Sequence, residues 1–495
     1  MSALTEARLR SILAWVVIVL VAGPVAGAVA LGVLHGDSPC ILCWAQRTSM
    51  ALIALVGLFV LRYGPRPKYL GMVVLLGVFG QYMALRHAGL HLARDLGQGF
   101  SESILGAHTY SWAWLVHVVA LAVIGLLLLF LREVAGAERP HEPRGAARFA
   151  FGLFAVVVAA NAVQAFVSTG PPPFMGQSDP VRLSLNPKHW VWSMEELTTP
   201  APISLRGSWT VPRADDAVAA ADPDPADGPL AGLPALRSVA WERISAPLDG
   251  ALRGLARDPA TGRWLAVTEG YGVDLLDSTA TRVLHHVRLD GGWSIDVGPL
   301  AGAAFLGGDT LAVVGTNKSW VLLLPDPKAD NDSMWKRFRQ TDGGVAELDR
   351  GRFATVRARL QYVHSLAFDP AAQELITLSV PSPRQRRLVV SRFARSDMAL
   401  ASEFRPSLGP GLTLAGSSRS PAEYLVTGAA VADGELYAVS ASFSTLLVID
   451  LGSRMVTAAY ALPGLVRPVG VAVRGAQLLL ALGDGRIAVL PRPAP

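Results

Sequence analysis

The sequence predicts a membrane α-helical bundle fused to an all-β propeller. Two observations carry this reading. The long apolar runs are confined to the first third of the chain, and the second half repeats one short-strand hairpin text. At 495 residues the chain is too long for one ordinary domain. The net charge of +5 comes with no Lys/Arg stripe, which excludes a nucleic-acid binder. The basic residues instead flank the apolar runs, as they do in a protein embedded in lipid.

Residues 11–34 carry no charge and are long enough to cross about 30 Å of hydrocarbon. The run is too long for a signal-peptide core and no small-residue cleavage site follows, so it reads as a retained span. Further spans are predicted over residues 43–61, 69–85, 112–131 and 149–167. Arg8 and Arg10 precede the first span. Arg62, Arg66 and Lys68 sit between the second and third, and Arg132, Arg139, Arg144 and Arg148 between the fourth and fifth. The positive-inside rule makes these segments cytoplasmic. The segments 35–40 and 86–111, and everything after Ser168, then lie in an oxidising outer compartment. The expected organisation is a four-span domain over 1–135, a cytoplasmic linker and fifth span over 136–168, an outer linker over 169–236, and a propeller over 237–495.

The chain has two cysteines, Cys40 and Cys43, with two residues between them. So short a loop does little to constrain an unfolded chain. Two cysteines without a histidine cluster in the nearby sequence make a poor zinc site, and no metal is expected. Pro39 ends the preceding loop and lets a helix start at or just after it. Three residues apart, the cysteines share a helix face. The free N–H groups of a first helical turn favour a thiolate. Arg47 follows one turn deeper in a segment that then runs uncharged to Leu61. Two readings stand for it: snorkelling toward the interface, or stabilising a nearby anion. Gln46 could add a hydrogen bond. Trp44 fits an interfacial belt as readily as a ligand contact, with the belt preferred; Tyr110, Trp112 and Trp114 read as belt residues, and His117 as a packed helix contact rather than a proton relay.

Pro39-Cys40-Ile-Leu-Cys43-Trp-Ala-Gln46-Arg47 resembles the signature of the DsbB family of quinone-dependent disulfide-generating membrane proteins. The likeness covers about residues 10–132, and Ala84-Leu-Arg86-His87 adds a second, weaker match. The resemblance implies that Cys40 exchanges with other thiols, and that Cys43 lies next to a quinone assisted by Arg47. It implies a DsbA-type thioredoxin-fold partner on the outer side, ubiquinone or menaquinone as electron acceptor, and a bacterial inner membrane. A quinone taking two electrons also needs two protons. Of the polar residues near the outer face (His35, Asp37, His87, His91, Arg94, Asp95 and His108), His87 is the preferred proton donor, with a solvated interfacial histidine as the plain alternative. The residues expected at the quinone are therefore Arg47, Gln46 and His87. One departure matters: well-known members carry a second cysteine pair in the loop matching residues 86–111, and this chain has none. The layout resembles the DsbI subgroup, in which a propeller follows the membrane part. The competing reading is a non-catalytic, membrane-anchored scaffold, and a third reverses the electron flow.

After Val167 comes a Pro-rich stretch, Gly170-Pro-Pro-Pro173, read as a stiff linker. Residues 214–234, rich in Ala, Asp, Pro and Gly, read as exposed and poorly ordered. Then a turn-plus-strand text recurs, with Trp264, Leu311, Leu375, Leu436 and Leu479 in equivalent places at intervals of 47, 64, 61 and 43 residues. Blades of four strands recur at about 40–50 residues. The longer intervals require insertions such as 328–336 and 381–387. Strand-like text before Ala251 would add one or two blades, so about six or seven are expected, with a β-sandwich as the alternative. His364, Trp320 and the run Arg384–Arg387 are surface candidates. With no cysteine, the propeller is expected to hold a partner near Cys40 rather than exchange disulfides.

Overall fold

This computed structural model describes residues 3–34, 39–98, 103–130, 140–169, 214–289, 298–329, 338–341, 344–359, 361–380, 388–416 and 419–493. His35, Asp37, Arg132, Arg139, the linker 170–173, residues 381–387 and most of 328–336 lie outside them. The described residues form two units, one helical and one of β-structure.

The helical unit comprises α1 (Ala3–Leu20), α2 (Ala26–Leu34), α3 (Ile41–Tyr63), α4 (Pro67–Arg94), α5 (Thr109–Phe130) and α6 (Ala146–Thr169). Among the described residues, five helical stretches are long and apolar enough to cross a membrane: Arg10–Leu34, Ile41–Tyr63, Pro67–Arg94, Thr109–Leu126 and Ala146–Ala165. The first is interrupted by a π turn, Val21–Val25, around Pro24. A proline inside a helix has no N–H to donate and its ring crowds the preceding turn, so the turn widens. Gly64, at φ 79°, ends α3, and Pro67 opens α4. α3 packs on α1 and α4, α5 packs on α4, and α6 lies against α1, α2 and α3. The outward residues Leu75, Val78 and Leu85 are exposed and apolar, as a lipid-facing surface requires. At the end of α3 opposite Cys40, His141 N–H donates to the Arg62 carbonyl (2.8 Å) and the Arg10 guanidinium meets the His141 ring. Arg10, Arg62 and His141, one from each of the three basic flanks, thus meet at one end.

Gly80 lets α4 approach α5 and α3. A Cβ there would lie 2.0 Å from His117 Nε2 and 2.6 Å from Ser49 Oγ. His117 is buried and bridges to Ser49 (Nε2–Oγ 2.8 Å), which is the packed helix contact the sequence suggested. Gly80→Ala should therefore destabilise the bundle by about 1–3 kcal/mol, read as a lower unfolding temperature in detergent. Adding His117→Ala should return part of that loss; simple addition of the two effects would contradict the contact.

The β unit is a propeller of five blades, fewer than the six or seven expected. Blade one is Leu252–Arg257, Trp264–Thr268, Gly272–Leu276 and Val283–Leu289. Blade two is Leu300–Phe305, Leu311–Gly315, Ser319–Pro325 and Val345–Arg352. Blade three is Ala367–Asp369, Glu374–Leu378, Val390–Ala394 and Leu400–Phe404. Blade four is Val426–Ala432, Glu435–Ser440, Thr445–Asp450 and Met455–Ala461. Blade five takes three strands from the end of the chain, Pro468–Arg474, Gln477–Leu482 and Arg486–Pro491. Its fourth is Ala240–Arg243, with Ala240 opposite Val489 and Arg243 opposite Arg486. The text before Ala251 thus closes the ring instead of adding blades. The outer edge of blade five would otherwise be unpaired.

The five recurring hairpins are the first two strands of each blade. Inner strands meet around the axis through glycine. A Cβ on Gly428 would lie 2.6 Å from Gly470 Cα, and one on Gly254 would lie 3.1 Å from Gly302 Cα. The apolar core is accordingly a set of layers between blades, such as Leu265, Val267 and Val287 against Leu300, Val313 and Val321. Sheets covered on both faces need unbroken apolar strands, and Trp264–Thr268 and Gly272–Leu276 are buried throughout.

Two further expectations are corrected here. Trp320 and His364 are buried, not surface residues: Trp320 belongs to the packed region between blades two and three, and His364 follows Val363 of the same region. Residues 214–234 are ordered: Ala214–Ala219 is a helix, Asp224 caps a short turn, and Leu230–Ala231 pairs with Thr413–Leu414. Leu230 supplies the buried apolar anchor that composition alone hides. The 64-residue interval is filled partly by Phe338–Thr341, which adds an outer strand to blade one.

Candidate functional site

Cys40 is the N-cap of α3. Its extended backbone (φ −76°, ψ 171°) turns Sγ back to accept the Cys43 N–H at 3.2 Å. Both cysteines are half-buried and not joined in a disulfide, with their sulfurs 2.9 Å apart. His87, on α4, brings Nε2 to 3.6 Å from Cys40 Sγ. The tautomer of its neutral ring follows from its neighbours. Gln46 Nε2 faces the Met83 carbonyl (3.3 Å), which only accepts, so this end of the amide is the NH2. The same nitrogen lies 3.2 Å from His87 Nδ1, which must therefore accept. The proton of a neutral ring is then on Nε2, aimed at Cys40. The Cys43 thiol first, and then the His87 N–H, pull the Cys40 pKa from 9.0 down to about 3, against the opposing effect of burial.

Cys40, Cys43 and His87 place three donor atoms within 4.8 Å of one another. Two thiolates on one tetrahedral zinc sit about 3.8 Å apart, given Zn–S bonds of about 2.3 Å. The 2.9 Å separation is shorter, and the described residues bring up no fourth ligand. The pair fits dithiol–disulfide chemistry better than a closed metal site.

Arg47 lies one turn below Cys43 and is buried. Nη1 donates to Gln164 Oε1 of α6 at 2.8 Å, and Nη2 donates to the Ala28 carbonyl of α2 at 2.9 Å. Its guanidinium lies 5.2 Å from the Trp44 ring. The Trp44 ring packs against this cation, and its buried indole N–H has no partner among the described residues. Such an orphaned donor beside a cation suits a ligand that carries only acceptors, as a quinone does. Tyr110, expected in the belt, is buried. It stacks on His91 (4.9 Å) and His108 (5.6 Å), and His91 is bonded to buried Asp95 (Nδ1–Oδ2 2.9 Å). This cluster covers the His87 side of the site, with the His87 and His91 rings 4.8 Å apart.

The fold thus brings Cys40, Cys43, Gln46 and His87 together and turns Arg47 toward the first and fifth spans. Gln164 was not foreseen. The signal available was a pair of amide residues, Asn161 and Gln164, three apart in an otherwise apolar span.

No curated protein matches the chain. Among solved structures, the glutaminyl cyclase of Myxococcus xanthus is 13% identical, over 52% of this chain and 97% of its own, with a TM-score of 0.35. The Cps50 (Swd1) β-propeller domain of Myceliophteria thermophila is 12% identical, over 50% of this chain and 66% of its own, with a TM-score of 0.29. No activity is carried over from either. The family model described as "Disulfide bond formation protein DsbB" matches residues 10–98, from the first span to the loop after the third. That match falls on the stretch that holds Cys40, Cys43, Gln46, Arg47 and His87, so residues 10–98 resemble a DsbB disulfide bond formation domain.

Proposed function

We propose that this protein is a membrane thiol oxidoreductase. It would oxidise a DsbA-type thioredoxin-fold partner, or a substrate, through Cys40–Cys43 and pass the electrons to ubiquinone or menaquinone. The observation that carries this reading is the half-exposed Cys40, poised 2.9 Å from Cys43 with the His87 N–H aimed at it.

In the oxidised protein, a partner thiolate attacks Cys40 Sγ of the Cys40–Cys43 disulfide. A partner–Cys40 disulfide forms, the Cys40–Cys43 bond breaks, and Cys43 leaves as a thiolate. The partner's second thiolate then attacks its own mixed sulfur, releasing oxidised partner and the Cys40 thiolate. His87 Nε2–H holds that thiolate. A bound quinone supplies a two-electron, two-proton acceptor. Arg47 and the Trp44 indole N–H would hold it by donating to acceptor oxygens, and Gln46 keeps His87 in the tautomer that carries its proton at Nε2. Because the chain has a single cysteine pair, the partner must reach Cys40 directly or bring its own intermediate pair.

We place Cys40 and the propeller on the outer side of a bacterial inner membrane, with the N-terminus cytoplasmic. The supporting pattern is the basic flanks at the opposite end of α3. We assign the redox bundle to 1–135, the linker and fifth span to 136–168, the outer linker to 169–236 and the propeller to 237–495. The propeller, which has no cysteine, serves as a platform for the partner. A scaffold role alone would give the Gln46–His87–Cys40 arrangement no purpose. The test is quinone-dependent oxidation of a reduced DsbA-type protein by the purified full-length chain. Oxidation that depends on both quinone and Cys43 is expected. Binding without oxidation would favour the scaffold.

A further inference from the structure

We infer that Gln164, on the fifth span, is a positioning residue for Arg47, so that the fifth helix forms part of the acceptor site. This rests on the quinone reading above. Arg47 has a long, flexible side chain, and in hydrocarbon such a group swings to the interface unless it is tied down. Here it is tied on two sides. Gln164 Oε1 accepts Nη1 at 2.8 Å, and the Ala28 carbonyl accepts Nη2 at 2.9 Å. Both Gln164 and Arg47 are buried.

The orientation of the Gln164 amide is fixed independently. Its Nε2 donates to the Val29 carbonyl at 3.4 Å, so Oε1 must be the end that meets Arg47. α2 therefore holds Gln164 through Val29 and Arg47 through Ala28. α6 supplies the acceptor that directs the guanidinium along the Trp44 ring. The π turn at Val21–Val25 ends shortly before these two carbonyls and packs against both α3 and α6. Neither Gln164 nor the fifth span lies within the residues matched to the DsbB family.

The test uses the full-length protein in nanodiscs with ubiquinone-1 as the probe. Equilibrium binding is measured by ultrafiltration, reduction of the probe by single turnover, and Cys40 accessibility by iodoacetamide labelling. Gln164→Leu should weaken ubiquinone-1 binding about tenfold or more, as expected for losing a hydrogen bond to a charged group. Its Cys40 labelling rate should match that of the unaltered protein. Gln164→Glu, which keeps an acceptor for Arg47, should restore binding. Unchanged binding in Gln164→Leu would overturn the inference. So would loss of binding and labelling together without rescue by Gln164→Glu, which would make the residue merely structural. An unaltered protein that neither binds nor reduces ubiquinone-1 would instead overturn the quinone reading itself.

Discussion

Replacing Cys43 with alanine should stop turnover entirely and leave Cys40 joined to its partner through a mixed disulfide. The expectation follows from the division of labour at the start of α3. Cys40 is the half-exposed N-cap sulfur, held by the Cys43 N–H and by His87. Cys43 sits one turn above Arg47 and is the only other thiol in the chain. Without it, a Cys40 thiolate can still attack the disulfide of an oxidised partner. No thiol within this chain can then displace that partner. On non-reducing electrophoresis of native membranes, Cys43→Ala should give a higher band that disappears with dithiothreitol and is absent from Cys40→Ala. No such band in Cys43→Ala would remove the exchange role of Cys40. Quinone reduction should fall to the uncatalysed background.

The second large effect is a flat pH profile for Cys40. An ordinary thiol loses its thiolate tenfold per pH unit once below its pKa, or about a thousandfold between pH 8 and pH 5. With its pKa lowered to about 3, Cys40 stays ionised across that range. Its alkylation rate should change little while a denatured control falls steeply. The slope discriminates better than the rate at one pH, because nucleophilicity also falls with pKa, with a Brønsted coefficient of about 0.4–0.5. The sign of the linkage follows. The folded pKa is depressed, so the stabilisation of the reduced protein is complete above about pH 9. It is lost progressively as pH falls toward 3. At neutral pH the dithiol form is favoured, which makes the disulfide a ready acceptor of a partner's electrons. A steep profile for Cys40 would contradict the His87 and Cys43 contacts.

How much could be read from sequence depended on how local each feature is. Cys40, Cys43, Gln46 and Arg47 fall within eight consecutive positions on one helix, so their spacing alone places them together. The five hairpins were legible for the same reason: each is a turn between adjacent strands. The blade number was not, because Ala240–Arg243 pairs with residues 486–489 at the far end of the chain. Nothing in those four residues announces that partner. Gln164 was hidden likewise, since it meets Arg47 across 117 residues. Tyr110 illustrates a different limit. An aromatic residue near a span end reads as interfacial, and only the packing of His91 and His108 against Tyr110 shows otherwise. The amide orientations of Gln46 and Gln164, from which the His87 tautomer and the Arg47 direction follow, are tertiary facts throughout.

The most direct measurement is a thiol count during a single turnover. The purified protein is reduced, freed of reductant and mixed anaerobically with ubiquinone-1, and free thiols and hydroquinone are followed together. The account predicts that Cys40 and Cys43 disappear as a pair, one disulfide for each hydroquinone formed, and that Cys43→Ser forms none. Thiols that persist in the presence of quinone, or equal quinone reduction by Cys43→Ser, would contradict it.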